Sequence, residues 1–494
     1  MSFIKNNIVV AISNIGIKLH SFILMGLLIN FISLDAYSDY IIVFSFVSFL
    51  TGISSVGVGF FYKRYFPSAE SARRKQELFY PQFLFNLLFS IGIILFLFLS
   101  KKSVINNLFD NKIGINYYLI LVYFFSYVIY SQTTDYFRYS NKMSIYSSVT
   151  LLTPYIWLLW VLLLKRFFPQ IVTLDVVVGS IIVVLNSINI ILLFYISRSI
   201  GFSMRSFTEY NLLKDIRIGL PLVLVILANW AITASDRFFI LQYLDKAKVG
   251  FYSAAYSIGT LINFLPLVLG VIMPPMLSIM VDKNNSEQAN KYVNYSVIGF
   301  IGIAIPFCAG AFFTGENILA LISKNSICLE SKFVITLIGL GALLNGLVVI
   351  LSTVLFVHHR TKNILYATIL GMFGSVILNL IFLPIFHSII VCSIANFFSN
   401  LLTLIFISYG LRKGSDVKID NIAIFKISFS TIMMIMSLIM VALYFNNKTT
   451  TDIIQLFSKI LVGGIAYGLS MALLFPKYRI VLVKMGVDMV KFKF

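Results

Sequence analysis

Charged residues are scarce in this chain of 494 residues: Asp, Glu, Lys and Arg make up 12% of it, against 59% hydrophobic residues. Soluble domains usually carry about 25% charged residues, so this chain lacks the polar surface that a soluble particle of its size needs. The high apolar content also excludes a disordered chain, which has low hydrophobicity. The composition therefore indicates a protein that resides in a lipid bilayer.

Cysteine is rare as well, and the three residues Cys308, Cys328 and Cys392 are too few for a disulfide scaffold or a cysteine-rich metal site. Acidic residues number 19 against 38 basic ones. No basic stretch lies outside the loops between apolar runs, so no nucleic-acid partner is expected. An excess of Lys and Arg is instead typical of loops that stay in the cytoplasm.

Fourteen apolar runs of about 20 residues follow one another, and each is long enough to cross about 30 Å of hydrocarbon as a helix. Strands of a membrane barrel would be shorter and would alternate in polarity. The predicted fold class is therefore an all-α polytopic membrane protein with about 14 transmembrane helices. The predicted spans 1 to 14 are residues 8–31, 39–60, 78–99, 117–137, 144–164, 176–197, 218–240, 249–275, 292–313, 333–357, 364–385, 389–409, 424–445 and 453–475.

The loop charges set the predicted orientation. If both termini are cytoplasmic, the inside segments hold 24 of the 38 Lys and Arg residues, and the outside segments hold 10. This bias agrees with the rule that positive loops stay inside. All connections are short and none contains a GxxxxGK[ST] phosphate loop, so the chain has no nucleotide-binding domain of its own.

A faint internal repeat divides the chain. Leu34–Asp35 leads into span 2, and Leu244–Asp245 leads into span 8. Many transporters contain two related halves with the substrate site between them. The predicted organisation is an N-terminal six-helix bundle (1–197), a cytoplasmic linker (198–217), a C-terminal six-helix bundle (218–409), two additional helices (424–475) and a basic cytoplasmic tail (476–494).

Several motifs carry a resemblance to a known family. Residues 234–240 (ASDRFFI), the Leu244–Asp245 pair and residues 250–256 (GFYSAAY) resemble the signature of spans 7 and 8 in bacterial polysaccharide exporters. Residues 301–306 and 378–384 lie where that family has similar motifs. Over its full length the chain resembles the Wzx-type O-antigen and capsule flippases of the multidrug/oligosaccharidyl-lipid/polysaccharide (MOP) exporter superfamily.

This resemblance implies two six-helix bundles in a V-shaped arrangement around a cavity that opens alternately to each side. It implies no enzymatic activity, no catalytic residue and no cofactor. The implied cargo is an undecaprenyl-pyrophosphate-linked oligosaccharide, moved from the inner to the outer leaflet of the bacterial cytoplasmic (inner) membrane. Membrane lipids, a polysaccharide polymerase and a chain-length regulator are the candidate partners. Related lipid II flippases add two helices that offer a groove for the lipid tail, and spans 13 and 14 are the candidates for that role here.

Lys18 lies near the centre of span 1, where a charge costs at least about 2.5–3.5 kcal/mol and normally faces a cavity or a partner. Asn14 and Ser21 lie on roughly the same helix face. A buried ammonium would attract a pyrophosphate, whereas the alternative is a structural tie to a carboxylate. His20 is turned about 160° away from Lys18, which favours a packed histidine over a proton carrier in coupling or gating.

Span 7 carries a polar stripe of Asn229, Thr233, Asp236 and Arg237. The planar guanidinium of Arg237 suits phosphate or carboxylate. Asp236 is a candidate for proton or cation exchange, which would couple transport to H⁺ or Na⁺. The alternative is an interhelical salt bridge that holds the outward gate.

Four further charges lie near span ends. Asp135 and Arg138 occupy the inner end of span 4, a position that suits a gate or an interfacial anchor. Lys459 lies in the outer third of span 14, where we expect its long side chain to extend to the interface. Arg64 helps to set topology and is a candidate contact for the anionic headgroup at entry.

Two other functions compete with the flippase. A cation-coupled multidrug exporter of the same superfamily would be expected to place carboxylates in its cavity, whereas the midplane charge here is Lys18. A membrane-embedded glycan enzyme would need acid–base or nucleophilic groups, and no paired-carboxylate or Ser-His-Asp arrangement is found. The sequence therefore favours a carrier of an anionic cargo.

Overall fold

A computed structural model of the chain describes residues 2–55, 66, 69, 71–140, 142–201, 212–283, 285–322, 330–358, 360–412, 419–445 and 452–475. All regular structure in these residues is helical, which confirms the predicted all-α class. Sixteen α-helices of eight or more residues follow one another: α1 Ser2–Phe31, α2 Leu34–Ser54, α3 Ala72–Leu99, α4 Tyr117–Tyr139, α5 Met143–Phe167, α6 Leu174–Ile200, α7 Leu212–Ala234, α8 Asp236–Tyr243, α9 Lys246–Gly259, α10 Phe264–Asp282, α11 Ser286–Ile322, α12 Ser331–Val357, α13 Thr361–Phe386, α14 Ile390–Arg412, α15 Asn421–Phe445 and α16 Asp452–Leu474.

Within the described residues, each of the fourteen predicted spans falls largely on one helix or on two consecutive helices, and residues 56–60 of span 2 lie outside the described residues. Within the described residues, eleven helices are long and apolar enough to cross a bilayer, or twelve if the bent pair α7–α8 is one span. The described apolar part of α1 is the shorter segment Leu19–Phe31. Helix α4 is outside that count and carries seven tyrosines. The predicted number of fourteen is therefore approximate, whereas the multi-pass membrane architecture is confirmed.

The helices divide into two compact units. The N unit comprises Ile8–Ser253 together with Met372–Ser388, and the C unit comprises Met1–Asn7, Ala254–Gly371 and Ile389–Phe494. The predicted boundary between two six-helix bundles lies at residues 198–217, half of which (202–211) fall outside the described residues. That division remains a prediction.

Helix α4 is central to the N unit and packs against α2, α3, α5 and α6. Its side chains Tyr123 and Phe124 are fully buried. At the end where α4 finishes, Tyr136 and Phe137 join Phe79 of α3 in an aromatic core cluster. Aromatic side chains bury 150–250 Å² each, so such clusters dominate the packing energy.

Helix α12 is central to the C unit and packs against α10, α11 and α14. The last two helices, α15 and α16, pack against each other and against α11. Val334, Ile338 and Ile350 of α12 are fully buried in this unit. The two C-terminal helices are therefore integral parts of the unit's packing.

The two helices that begin at or just after the repeat motifs, α2 and α9, approach each other closely inside the N unit. A Cβ atom added at Gly250 of α9 would lie 2.6 Å from Ser38 Oγ and 2.7 Å from Leu34 Cδ1, both in the first turns of α2. Only glycine permits this approach, because real Cβ atoms do not come so close to other heavy atoms. The beginnings of α2 and α9, which the repeat relates in sequence, thus pack directly against each other.

Span 7 is broken into two helices. Residues Val223–Ala234 of α7 and Asp236–Tyr243 of α8 meet at an angle of 49°. Ser235 lies at the break and donates its hydroxyl hydrogen bond to the carbonyl oxygen of Ala231. The break places Asp236 in the first turn of α8, where a carboxylate is favoured by the helix dipole.

Candidate functional site

Asp236 is the most deeply enclosed charged residue of the predicted site. Its side chain is fully buried in the N unit. One carboxylate oxygen accepts a hydrogen bond of 2.5 Å from Tyr252 Oη of α9. The other accepts one of 2.8 Å from Asn379 Nδ2 of α13. The carboxylate therefore ties three helices together through two neutral donors.

The side-chain amide of Asn379 has a second polar atom, Oδ1, close to Asp236. Its Oδ1 is buried and has no hydrogen-bond partner among the described residues. The oxygen and nitrogen of an amide exchange places with little change in shape, so the amide can present either atom to Asp236. With the amide turned, oxygen atoms of three side chains would converge: the Asp236 carboxylate, Tyr252 Oη and Asn379 Oδ1.

Oxygen donors of this kind suit a hard cation such as Na⁺, and a single buried carboxyl suits a proton. Within the described part of the chain no group of three or more His, Cys, Asp or Glu side chains comes together. The oxygen donors around Asp236 are thus of the kind that suits a monovalent cation or a proton.

Two members of the span 7 stripe, Asn229 and Thr233, have exposed side chains. Each donates a hydrogen bond of 2.9 Å to a carbonyl oxygen of α7 itself. Arg237 is 8% exposed and donates a bond of 2.7 Å to the carbonyl oxygen of Thr233. Exposed polar groups at membrane depth require water or a ligand rather than lipid, so this face of α7 is suited to line a wet cavity.

The predicted face of α1 is described only in part. The side chains of Lys18 and Asn14 lie outside the described residues. Ser21 is exposed and donates a hydrogen bond of 3.1 Å to the carbonyl oxygen of Ile17.

His20 is 5% exposed and lies against α5. Its ring centroid is 5.5 Å from that of Tyr155 and 6.0 Å from that of Trp157, and the ring hydrogen bonds to the backbone of Pro154. Tyr155 in turn donates a bond of 2.8 Å to the carbonyl oxygen of Gly16. His20 thus lies within the packing that joins α1 to α5.

The end of span 4 brings charge and aromatic rings together. The guanidinium carbon of exposed Arg138 lies 5.3 Å from the ring centroid of Tyr139 and 5.5 Å from that of Tyr146. Asp135 is half-buried and interacts electrostatically with Arg138. Arg64 lies outside the described residues.

Lys459 differs from the expectation that its side chain extends to the membrane interface. Its ammonium donates hydrogen bonds of 2.9 Å to the carbonyl oxygen of Phe313 and 2.7 Å to Asn317 Oδ1, both in α11. The bonds available from α11 hold the cation inside the C unit. The sequence could not show this, because it does not reveal which helix faces span 14.

An apolar cavity adjoins this lysine. Its volume is about 280 Å³, and it lies in the C unit between α11, α15, α16 and the segment around Ile258. Its lining includes Pro306, Met434, Leu438 and Gly463, and Lys459 is its charged member. A space of this kind accommodates hydrocarbon beside one positive charge.

One buried ion pair was missed by the sequence analysis. Asp39 of α2 is 2% exposed, and its carboxylate lies 2.6 Å from Lys246 Nζ of α9. The same carboxylate accepts a bond of 3.1 Å from the backbone nitrogen of Gly114. Asp39 is the first residue of predicted span 2, and the sequence alone did not show that its side chain is buried against another helix.

Three more lysines of the predicted outside loops donate hydrogen bonds to carbonyl oxygens at or near the ends of helices in the N unit. Lys165 donates to the carbonyl oxygen of Phe31 at the end of α1, and Lys112 donates to that of Leu241 in α8. Lys248 donates to the carbonyl oxygen of His387, just after α13. Cations at helix C-termini satisfy free carbonyls and complement the helix dipole. These lysines, which the sequence analysis used to predict membrane orientation, therefore also stabilise the helix ends.

We expect Asp39→Asn to destabilise the protein by about 2–4 kcal/mol, because it leaves the Lys246 ammonium largely buried without its counter-charge. Thermal unfolding of the purified chain in detergent measures the change. The matched control is Glu287→Gln, which removes the surface pair with Lys291 and should leave stability within about 1 kcal/mol. Equal effects of the two substitutions would contradict this assignment.

Comparisons with known proteins agree with the helical architecture. A model of the family described as "Polysaccharide biosynthesis protein" matches residues 3–280. A second model, described as "MatE", matches residues 221–385. No curated protein matches the sequence.

Solved structures share the fold at low sequence identity. The "Lipid II flippase MurJ, inward closed conformation" aligns with a TM-score of 0.66 and 13% identity over 97% of this chain and 98% of its own. An inward-facing multidrug resistance MATE family transporter of the MOP superfamily aligns with a TM-score of 0.60 and 14% identity over 82% of this chain and 99% of its own. A MOP superfamily transporter from Pyrococcus furiosus gives a TM-score of 0.58 and 14% identity, over 83% and 96%.

Proposed function

Because the chain belongs to the polysaccharide biosynthesis protein family, we propose that it is a flippase of the MOP superfamily that carries lipid-linked oligosaccharides. Its proposed cargo is an undecaprenyl-pyrophosphate-linked repeat unit of O-antigen or capsule. The cargo crosses from the inner to the outer leaflet of the bacterial cytoplasmic membrane by alternating access. Both termini are placed in the cytoplasm in this proposal.

The apolar cavity beside Lys459 is the observation that carries the proposal. Undecaprenyl is a hydrocarbon chain joined to a pyrophosphate, and the cavity offers apolar walls with one ammonium at its edge. Helices α15 and α16 form part of these walls. A drug-sized cation would gain nothing from an ammonium there, because like charges repel.

Chain coverage also supports a lipid carrier. The lipid II flippase aligns over 97% of this chain, whereas the two MATE family structures of the MOP superfamily align over 82% and 83%. The larger share means that the lipid II flippase has counterparts for a part of the chain that the drug transporters lack. The two C-terminal helices are the natural candidates for that part.

The headgroup is assigned to cations of the N unit. Arg237 provides a planar donor set at the end of the exposed Asn229–Thr233 face, and Lys18 provides the midplane charge predicted from the sequence. The inside-negative membrane potential favours outward movement of an anion by about 2.3 kcal/mol per charge per 100 mV. Asp236, with Tyr252 and Asn379, is the proposed site for a coupling H⁺ or Na⁺.

A cation-coupled multidrug exporter is the second candidate, and the MatE match over residues 221–385 favours it. Such a carrier needs a carboxylate that a cationic drug can reach. Asp236 is fully buried and bonded to two neighbours, and Asp135 lies at the end of α4 beside Arg138. The described carboxylates therefore support the anionic cargo more strongly.

Deletion of the gene in its native host separates the two functions. We expect surface polysaccharide to disappear and the lipid-linked repeat unit to accumulate in the cytoplasmic membrane, with drug sensitivity unchanged. Immunoblotting of surface glycan and minimum inhibitory concentrations of cationic drugs are the measurements. Persistent surface glycan together with increased drug sensitivity would establish the exporter instead.

Lys18→Ala should abolish glycan display without loss of protein from the membrane, because the cavity loses its midplane positive charge. Lys18→Arg retains the charge and should preserve at least part of the display. Complementation of the deletion strain, with membrane immunoblots to verify protein levels, measures both variants. Normal display by Lys18→Ala would end the assignment of Lys18 as a headgroup contact.

Asp236→Asn should remove the dependence of transport on the coupling ion, since the variant has neither a titratable proton nor a full negative charge. We expect glycan display to fall and to lose its response to external pH or Na⁺. Asp35→Asn, a change at an exposed carboxylate of α2, is the control and should behave as the wild type. A response in Asp236→Asn identical to that of the wild type would exclude Asp236 from coupling.

A further inference from the structure

Helix α4 presents a row of tyrosines along one face inside the N unit. Tyr123, Tyr127 and Tyr130 are spaced by four and three residues, which places them on the same side of a helix. Their ring centroids are 6.1 Å and 6.2 Å apart in sequence order. The rings thus form a continuous line rather than three isolated contacts.

Neighbouring helices extend this line in both directions. Tyr40 of α2 lies near Tyr123 and Tyr127, and Tyr146 of α5 lies near Tyr127 and Tyr130. Tyr139 lies nine residues after Tyr130 and therefore on the opposite side of α4, outside this row. We name this set the tyrosine column: Tyr40, Tyr123, Tyr127, Tyr130 and Tyr146.

The row on α4 covers about two helical turns. Seven residues separate Tyr123 from Tyr130, a rise of about 10 Å along a helix. At one end, Tyr40 stacks on Trp157 with ring centroids 5.6 Å apart. At the other end, the guanidinium of Arg138 lies over the ring of Tyr146, and Asp135 lies near the same ring.

Packing alone does not explain these phenols, because a buried hydroxyl costs free energy unless it is hydrogen bonded. Tyr130 Oη donates to Thr153 Oγ1 at 3.1 Å. Tyr123 is 0% exposed, yet its Oη has no hydrogen-bond partner among the described residues. The same holds for Nε2 of His20, whose ring contacts Trp157 at the end of the column. Such buried atoms mark places where a ligand or water completes the bonding.

We propose that the tyrosine column binds the sugar portion of the cargo. The apolar C–H face of a sugar ring packs on an aromatic face, while its hydroxyls bond to phenols and to the Asp135 carboxylate. Tyr127, Tyr130 and Tyr146 are half-buried, so part of each ring remains available. This inference rests on the proposed flippase function and adds that the glycan itself is recognised, separately from the pyrophosphate.

Paired substitutions on α4 test the role of the rings. The double variant Tyr127→Leu/Tyr130→Leu should slow glycan display about tenfold, the expected result of losing two ring contacts. Tyr127→Phe/Tyr130→Phe keeps both rings and should retain most of the rate. Tyr366→Leu, a change at a tyrosine 60% exposed on α13, is the matched control. A wild-type rate in the double leucine variant would overturn the proposal.

Photocrosslinking tests contact directly, including the case in which the leucine variant fails to fold. The full chain carries p-benzoylphenylalanine at position 127 or 366 in native membranes, and the probe is the host's lipid-linked glycan labelled with tritiated sugar. After irradiation, we expect tritium on the protein when p-benzoylphenylalanine is at position 127, and no tritium on the protein when it is at position 366. If the variant with the crosslinker at position 127 still supports glycan display but gains no label, the tyrosine column is not the sugar site. If surface glycan survives deletion of the gene, the proposed flippase function itself is wrong.

Discussion

Hydrocarbon offers no hydrogen bonds, so a polar group of this chain at membrane depth needs a partner in the protein, in water or in a ligand. The connections between helices show how this constraint is met. Lys165, Lys112 and Lys248 each donate to a carbonyl oxygen at or near the end of a helix. The Asp39–Lys246 pair neutralises two charges where the first turns of α2 and α9 come together. Charges that sequence rules assign to topology therefore also hold the helix ends in place.

The chemistry of the two units differs, and the proposed cargo has two matching parts. The N unit contains the carboxylate of Asp236, the guanidinium of Arg237 and the tyrosine column. The C unit contains the apolar cavity with Lys459 at its edge. A lipid-linked glycan combines a charged, hydroxyl-rich head with a long hydrocarbon tail. Each unit thus offers the kind of surface that one part of such a molecule needs.

The sequence predicted the helical membrane architecture well, because runs of about 20 apolar residues have few alternatives in a bilayer. It was less informative about α4, whose tyrosines lower its hydropathy without preventing it from forming a helix. The bend at Ser235 also escaped prediction, since residues 218–240 form one apolar run with no proline near the break. Local composition does not reveal such a feature.

The sequence identified several residues of the candidate site but not the contacts that they make. Asp236 and Arg237 stood out as charges inside a span. The sequence could not show that Tyr252 and Asn379, one of them 143 residues away along the chain, bond to Asp236. The same is true of the hydrogen bonds of Lys459 and of the ion pair of Asp39, because both depend on which helices are neighbours. Tertiary contacts, rather than composition, decide these points.

Translocation by the purified chain tests the central claim most directly. The protein is reconstituted into liposomes with the lipid-linked glycan that accumulates in the deletion strain, and loss of access to an impermeant sugar-oxidising reagent is followed over time. A second set contains the same glycan on polyprenol without the pyrophosphate. The account predicts protein-dependent movement of the pyrophosphate-linked form and little movement of the neutral one. Equal rates for both, or movement of neither, would contradict it.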